Sequence, residues 1–465
     1  MKKIIPQPIK NIYHLFQAVL ANFIYGFPGR NIKVIGVTGT NGKTTTVQMI
    51  TKILEEAGRK VAMASTINFK IGEKEWVNKS KFTTLSSFQI QKFILDAVKS
   101  GCKYLVLETS SHSLDQYRVW GIKFDTAVIT NVTREHLDYH ETMEEYRAAK
   151  LKLFRKAKTA VVNLDMERPE EYLDCKAENI FGYSLEISNS KLQIPNKYQI
   201  QNYKFQTAIA ENIEEGINYT KYQIQNTKYL LNLPGRFNVE NALAAACVGI
   251  SEGINLETIA KALEKIKGIP GRMEYVPNGK GMNIIIDYAV TPDSLEKLYS
   301  LVTNIKKNLP LEKGEVRRTE GFEEIDKFFK SSPNPSFSKG GESKIIAVFG
   351  ACGERDHGKR PMMGEIVSRY ADYIILTNED PYGENPVQII NEIESGIRNK
   401  ESGKGFWKIM DRREAIKKAL QIAKPGDYII VTGKGAEETM AIGNKRIPWN
   451  DKKVILEVLQ GVSSK

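Results

Sequence analysis

The chain of 465 residues has only four cysteines, Cys102, Cys175, Cys247 and Cys352, far apart and without a C-x-x-C pair. Their scarcity excludes a zinc ribbon and a small disulfide framework, and it fits a reducing cytoplasm. No apolar run is dry enough to span a bilayer, and no small-residue cleavage site follows the N-terminus, so neither a span nor a secretory signal is expected. The net charge is +12, yet there is no dense basic block and no basic-aromatic stretch. Nucleic acid is therefore not an expected partner, while the surface favours anionic ligands in general.

What is present is ordinary globular composition, 41% hydrophobic and 26% charged, at a length that calls for two or three domains. Residues 11–29 contain no Asp, Glu, Lys or Arg, and Ile12, Leu15, Phe16, Val19, Leu20, Phe23 and Ile24 recur at helical spacing. This predicts one apolar-faced helix, ended by Pro28 and packed on the rest of the protein, with contact to a membrane surface as the alternative.

Residues 33–38 read as a buried strand, followed by a glycine turn and a helix over 44–57. Strand-like runs at 103–108, 126–130 and 160–163 alternate with helical stretches, which predicts a mostly parallel sheet covered on both faces. Residues 193–233 suggest antiparallel strands or an excursion at the sheet edge. After a turn at 269–272, strand candidates at 284–287, 345–349, 373–376 and 428–431 begin a second unit. The expected fold is α/β, a central P-loop-type, mostly parallel sheet domain followed by a smaller Rossmann-like α/β C-terminal domain. The expected divisions are an N-terminal helix over 1–31, a central domain over 32–268 and a C-terminal domain over 269–465, with a flexible insertion over 309–343.

Gly39-Thr40-Asn41-Gly42-Lys43-Thr44-Thr45 lies where the strand turns into the helix. Backbone N–H groups and the helix N-terminus there can wrap phosphate oxygens, Lys43 can neutralise them and Thr44 can reach Mg²⁺. The strict G-x-x-x-x-G-K-[ST] pattern is not met, because Val37 stands five positions before Gly42. Glu108 ends a predicted strand, where a carboxylate can face the loop and hold a hard cation. His112, His136 and His140 lie around two strand ends, and their types leave open whether they bind a metal or pack in a core.

The loop form T-G-T-N-G-K-T-T resembles that of the Mur ligases of peptidoglycan synthesis and, with small changes, of folylpolyglutamate synthases. The stretches 107–118, 130–140 and 146–150 are similar to the UDP-N-acetylmuramoyl-tripeptide synthetase branch of the Mur family. So are 233–245, 270–274, 287–296, 350–361 and 433–437. The resemblance implies an ATP-dependent, ADP-forming ligase, with ATP and Mg²⁺ as cofactors. It would add a free amino acid to a UDP-muramoyl dipeptide through an acyl phosphate, as a monomer in the cytoplasm. It implies that Gly39, Thr40, Asn41, Gly42, Lys43, Thr44 and Thr45 bind ATP, with Asn238 and Asn241 at the adenine and Arg272 and Asp287 at the ribose. Lys43, Glu108, His136 and Lys150 become the catalytic set, and Thr44, Glu108, His136 and a carbamylated Lys150 the metal side. Thr83, Thr84, Ser110, Gln116 and Arg118 would hold the dipeptide, and Glu379, Asp380, Gly433 and Glu437 would complete the substrate site.

The sequence departs from the family in four places. About 31 residues precede the phosphate strand, where the family usually carries a domain for the UDP-sugar. Val290 and Ala436 stand where the family has histidines. The family's D-N-P-R is replaced by Asn378-Glu379-Asp380-Pro381-Tyr382, which lacks the arginine for a second carboxylate and predicts an acidic pocket for a lysine-like or other diamino acid. The alternatives are a Mur-like ligase or amidating-complex subunit with another acceptor, or a noncatalytic ATP-binding homologue.

Overall fold

The computed structural model describes residues 6–79, 83–185, 204–216, 218–308, 343–443 and 445–462. The chain divides into two compact units, Met1–Gly268 and Ile269–Lys465.

The first unit is built on a nine-stranded sheet. Its strands are β1 (Lys33–Thr38), β2 (Val61–Ala64), β3 (Asn68–Ile71), β4 (Lys74–Val77), β5 (Tyr104–Glu108), β6 (Phe124–Ile129), β7 (Thr159–Asn163), β8 (Asn179–Ser184) and β9 (Lys204–Ile209), in the order β4-β3-β2-β5-β1-β6-β7-β8-β9. Every pairing from β2 to β9 is parallel, and only β3 and β4 run antiparallel at one edge. The inner strands are buried along nearly their whole length, as a sheet covered on both faces requires. Because β1 lies between β5 and β6, loops leaving their C-terminal ends share one crevice, the usual ligand position in an open α/β sheet. Within the stretch 193–233, β9 extends the sheet edge and β10 (Glu211–Glu215), β11 (Thr220–Ile224) and β12 (Thr227–Leu231) form a separate antiparallel sheet. Residues 193–203 of that stretch lie outside the described residues.

Helix α1 (Gln7–Tyr25) forms where the apolar periodicity predicts it, and Gly26 stops it in the left-handed region at φ 68°. Its orientation differs from the expectation. Ala18, Ala21 and Asn22 are buried, whereas Ile12, Phe16, Phe23 and Ile24 are each more than 60% exposed. Polar side chains anchor the inner face: Asn22 Nδ2 donates to the Trp120 carbonyl at 2.8 Å, Asn11 Nδ2 to Asp115 at 3.1 Å and Gln7 Nε2 to Tyr139 Oη at 2.9 Å. Small and hydrogen-bonding residues let the helix sit close, so its large apolar side chains point to solvent. Among the described residues, no helix is long and apolar enough to cross a membrane.

The second unit has a six-stranded sheet of β13 (Glu274–Val276), β14 (Asn283–Asp287), β15 (Ile345–Phe349), β16 (Tyr373–Leu376), β17 (Phe406–Lys408) and β18 (Tyr428–Thr432), ordered β13-β14-β18-β15-β16-β17. Only β13 pairs antiparallel. Ile284, Ile286, Ile346, Val348, Ile429 and Val431 anchor its core. Of the insertion expected at 309–343, all but Ser343 lies outside the described residues.

Candidate active site

At the end of β1 the chain turns through Gly39 and Gly42 into α2 (Lys43–Glu56). Both glycines hold positive φ, 150° and 83°, and both are in close contact: a Cβ on Gly39 would stand 1.8 Å from Thr130 Oγ1, and one on Gly42 2.2 Å from Asn241 Oδ1. The turn is tied to the end of β6, where the Asn41 N–H donates to Asn131 Oδ1 at 2.9 Å, the Thr40 N–H to the Asn131 carbonyl at 2.9 Å and Thr130 Oγ1 to the Asn41 carbonyl at 2.6 Å. Helix α2 starts without a side-chain cap or an acidic residue of its own in its first turn. Lys43 curls back over the turn, donating to the Gly39 and Thr40 carbonyls at 3.1 and 2.8 Å. Thr40 and Thr45 are buried beside it.

Glu108, at the end of β5, is 1% exposed. Thr44 Oγ1 donates to its two oxygens at 3.1 and 3.0 Å, and Thr66 contributes its N–H at 2.7 Å and its hydroxyl at 2.8 Å. This clustering of oxygen atoms beside a phosphate loop suits a small hard cation. Thr66 escapes a sequence reading, because a lone loop threonine carries no signal and only the pairing of β2 with β5 brings it to Glu108.

Beyond Glu108, Thr84 Oγ1 donates to the Glu108 carbonyl at 3.1 Å and accepts the Ser110 N–H at 3.1 Å. Arg118 Nε donates to Gln116 Oε1 at 2.8 Å and its Nη1 reaches the Thr84 carbonyl at 3.4 Å. Burial lowers the Arg118 pKa from its usual value. Thr84, Ser110, Gln116 and Arg118 thus form one polar group; Thr83 is half-buried next to it.

The three histidines come together. The His112 ring lies 4.7 Å from that of His136 and 5.4 Å from that of His140. His140 shares a 3.0 Å hydrogen bond with Ser111 Oγ, and burial pulls its pKa down to about 4. His136 caps a short helix with φ 58°. Lys150, which composition alone would place on a solvated helix face, is 1% exposed. Its Nζ donates to the Gly39 carbonyl at 2.8 Å and stands 4.2 Å over the Tyr146 ring. Burial and then the charge of Lys43 hold its pKa well below the usual lysine value, while Glu135 opposes this. Tyr146, another residue not singled out from sequence, shares a 3.1 Å hydrogen bond with Thr40.

Asn238 and Asn241 are buried on the helix Arg236–Ser251. Asn241 Oδ1 accepts from Thr46 Oγ1 at 3.3 Å, and its Nδ2 reaches Asn238 Oδ1 at 3.4 Å, so the pair backs onto the phosphate loop.

In the second unit, the Arg272 guanidinium lies 4.5 Å over the Tyr288 ring, and Asp287 accepts the Met273 N–H at 2.7 Å. Burial pushes the Asp287 pKa up and Arg272 pulls it down. The acidic pair does not form an open acidic pocket. Asp380 is held by Lys434 Nζ at 2.9 Å and by the Ala441 N–H at 2.6 Å. Glu379 is 3% exposed, accepts from Cys352 Sγ at 3.1 Å and has its pKa raised by burial. Lys434 also bonds Glu437, which accepts from Tyr288 Oη at 3.4 Å. Lys434 lies inside a motif visible in the sequence, but its fully buried position depends on the fold. Gly433 has φ 105°, and a Cβ there would meet Glu379 Oε2 at 2.3 Å.

Residues 37–249 match the Mur ligase middle domain, and residues 336–435 match the Mur ligase glutamate ligase domain. A UDP-N-acetylmuramoyl-L-alanyl-D-glutamate–2,6-diaminopimelate ligase of Clostridium tetani is 37% identical over 449 residues, covering 95% of this chain and 81% of that protein. A UDP-N-acetylmuramyl-tripeptide synthetase of Roseiflexus is 35% identical over 455 residues, covering 93% and 80%. Among solved structures, a UDP-N-acetylmuramoyl-L-alanyl-D-glutamate–2,6-diaminopimelate ligase aligns with a TM-score of 0.55 at 28% identity, over 93% of this chain and 79% of that one. The chain belongs to the Mur ligase family, the ATP-dependent, ADP-forming ligases of peptidoglycan synthesis.

Proposed function

We propose that the chain adds a free amino acid to UDP-N-acetylmuramoyl-L-alanyl-D-glutamate at the expense of ATP. The observation that carries this reading is the convergence of Lys43, the Thr44–Glu108 oxygen cluster and Lys150 on the turn at Gly39. In the first step a carboxylate oxygen of the acceptor attacks the γ-phosphorus of ATP, giving an acyl phosphate and ADP. The amine of the incoming amino acid then attacks the acyl carbon. The C–N bond forms, inorganic phosphate leaves with the C–O bond pair, and the amine nitrogen gives up a proton. Such transfers depend on positioning and charge neutralisation more than on a protein nucleophile.

Gly39, Thr40, Asn41, Gly42 and Thr45 wrap the phosphates and Lys43 neutralises them, with Asn238 and Asn241 toward the adenine and Arg272 and Asp287 toward the ribose. Thr44, Glu108 and His136 are the metal side, together with Lys150 once its neutral amine has added CO₂ and released a proton to become a carbamate. Bound there, Mg²⁺ supplies charge neutralisation on the phosphate oxygens. The fit rests on the oxygen cluster of Thr44 and Glu108. Thr83, Thr84, Ser110, Gln116 and Arg118 hold the dipeptide, with the Arg118 fork suited to a carboxylate. Glu379, Asp380, Gly433 and Glu437 border the incoming amino acid. In this reading residues 32–268 form the ATP-binding domain and 269–465 the C-terminal ligase domain.

The test is phosphate release from ATP and Mg²⁺ with the UDP-muramoyl dipeptide and a panel of amino acids, with mass spectrometry of products and Lys43→Ala as control. Release that depends on one amino acid, with the matching mass gain, is expected. ATP binding without release or product for every amino acid would overturn the reading in favour of another acceptor or a noncatalytic role.

A further inference from the structure

The phosphate loop and Glu108 lie at the C-terminal ends of β1 and β5, and the opposite ends of the same strands carry a second feature. Lys60, Lys103 and Lys123 immediately precede β2, β5 and β6, and with Arg30 and Arg59 they line a hollow of about 680 Å³. Among the described residues none of these five cations has a carboxylate partner. Lys33 beside them is paired with Glu252 at 2.8 Å, and Asp125 accepts the Val34 N–H at 3.0 Å. Unpaired like charges gathered in this way repel one another and attract an anionic surface.

Arg30 joins this basic rim to α1, since its guanidinium lies 4.4 Å over the ring of Phe27 in the turn that ends the helix. From that turn the stripe of Ile12, Phe16, Leu20, Phe23 and Ile24 runs along the outside of α1, each side chain at least 40% exposed. Residues 11–29 contribute no charge, and Lys10 and Arg30 flank them. Contiguous exposed apolar residues edged by cations mark an interaction surface. Gln7, Asn11 and Asn22 are turned inward and hydrogen-bonded to the protein, and on the exposed side the Gln17 amide is taken up by Tyr13 Oη at 2.9 Å, so few directional groups there are left to offer a partner. A protein interface uses such groups throughout, whereas the acyl boundary of a bilayer asks for none.

We propose that the apolar stripe of α1 and the basic rim at the strand ends dock together on an anionic phospholipid bilayer, making this ligase a peripheral membrane protein. The surface shares no residue with the phosphate loop, so the proposal does not depend on which amino acid is joined or to what acceptor.

The experiment mixes the full chain with vesicles of phosphatidylcholine alone or rich in phosphatidylglycerol, at low and high salt, and measures the fraction that sediments. The chain is expected to favour phosphatidylglycerol vesicles by about tenfold or more at low salt and to lose most of that preference at high salt. Phe16→Ser with Phe23→Ser, and separately Lys60→Gln with Lys103→Gln and Lys123→Gln, are each expected to weaken binding by about tenfold. Melting temperature and ATP binding should remain at the parent values, because these side chains lie away from the core and the loop. Absence of vesicle binding, binding unaffected by both sets of substitutions, or equal binding to both vesicle types would overturn the proposal. So would a dimer that dissolves in the Phe16→Ser, Phe23→Ser variant, or capture of an RNA oligonucleotide, if either occurred without vesicle binding.

Discussion

Lys150 Nζ donates to the carbonyl oxygen of Gly39 across 2.8 Å, tying the helix Met143–Leu151 to the first residue of the phosphate turn. The amine is buried and its pKa lies well below the lysine value, as the carbamylation proposed above requires. Depleting bicarbonate is expected to lower ligase turnover, and restoring it to recover the rate. Lys150→Met should lose about 100-fold and respond to neither treatment. Stability gives a second readout. In CO₂-free buffer, between the lowered folded pKa and the ordinary lysine value, the unfolded chain holds a proton that the folded one has released, so stability rises with pH through that window. Lys150→Met should therefore raise the melting temperature more at pH 7 than at pH 10.

Glu108 accepts from Thr44 and from two groups of Thr66, which fixes both carboxylate oxygens. Glu108→Gln preserves the shape but removes the charge and gives Thr66 or Thr44 a donor in place of an acceptor. Phosphate release should fall by about 100-fold or more. A Mg²⁺ titration should show half-saturation moved to higher concentration, and an unchanged titration would argue against this carboxylate as a metal ligand.

His140 is held neutral down to about 4 by burial, with Lys150 and Lys152 adding to the effect and Asp115 opposing it. The unfolded histidine takes up its proton near pH 6.5. Its contribution is therefore fully present above that pH and is lost progressively as the pH falls toward 4. Melting temperature measured from pH 8 to pH 4.5 should drop more steeply for the parent chain than for His140→Gln.

Arg412 and Asp451 are 0% exposed and joined by two hydrogen bonds of 2.8 and 2.7 Å. Asp451→Ala leaves a buried guanidinium uncompensated and also removes the acceptor of Trp449 Nε1. The expected loss is about 3–5 kcal/mol by urea denaturation at a constant m-value. Arg412→Met combined with Asp451→Leu should recover a large part of it, since an apolar pair of similar volume needs no compensation.

The strand, glycine turn and helix of 33–56 are local, so periodicity and glycine placement in the sequence determined them, as they did the mostly parallel sheet. The histidines His112, His136 and His140 were also apparent as a group, because they lie close together in the sequence, after β5 and β6, the two strands that flank β1. Three other features came only from tertiary structure. A helical period marks α1 as having one apolar face, but whether that face meets the protein or solvent depends on which neighbours offer partners. Here the inner side went to Ala18, Ala21 and Asn22. Asp380 looks like a free carboxylate until Lys434, distant in sequence, is folded against it. By composition alone Lys150 reads as an ordinary solvated lysine, the family resemblance singles it out, and only the packing of its helix against the Gly39 turn removes it from water. Desolvation is set by everything that surrounds a side chain, and those surroundings are assembled from the whole fold.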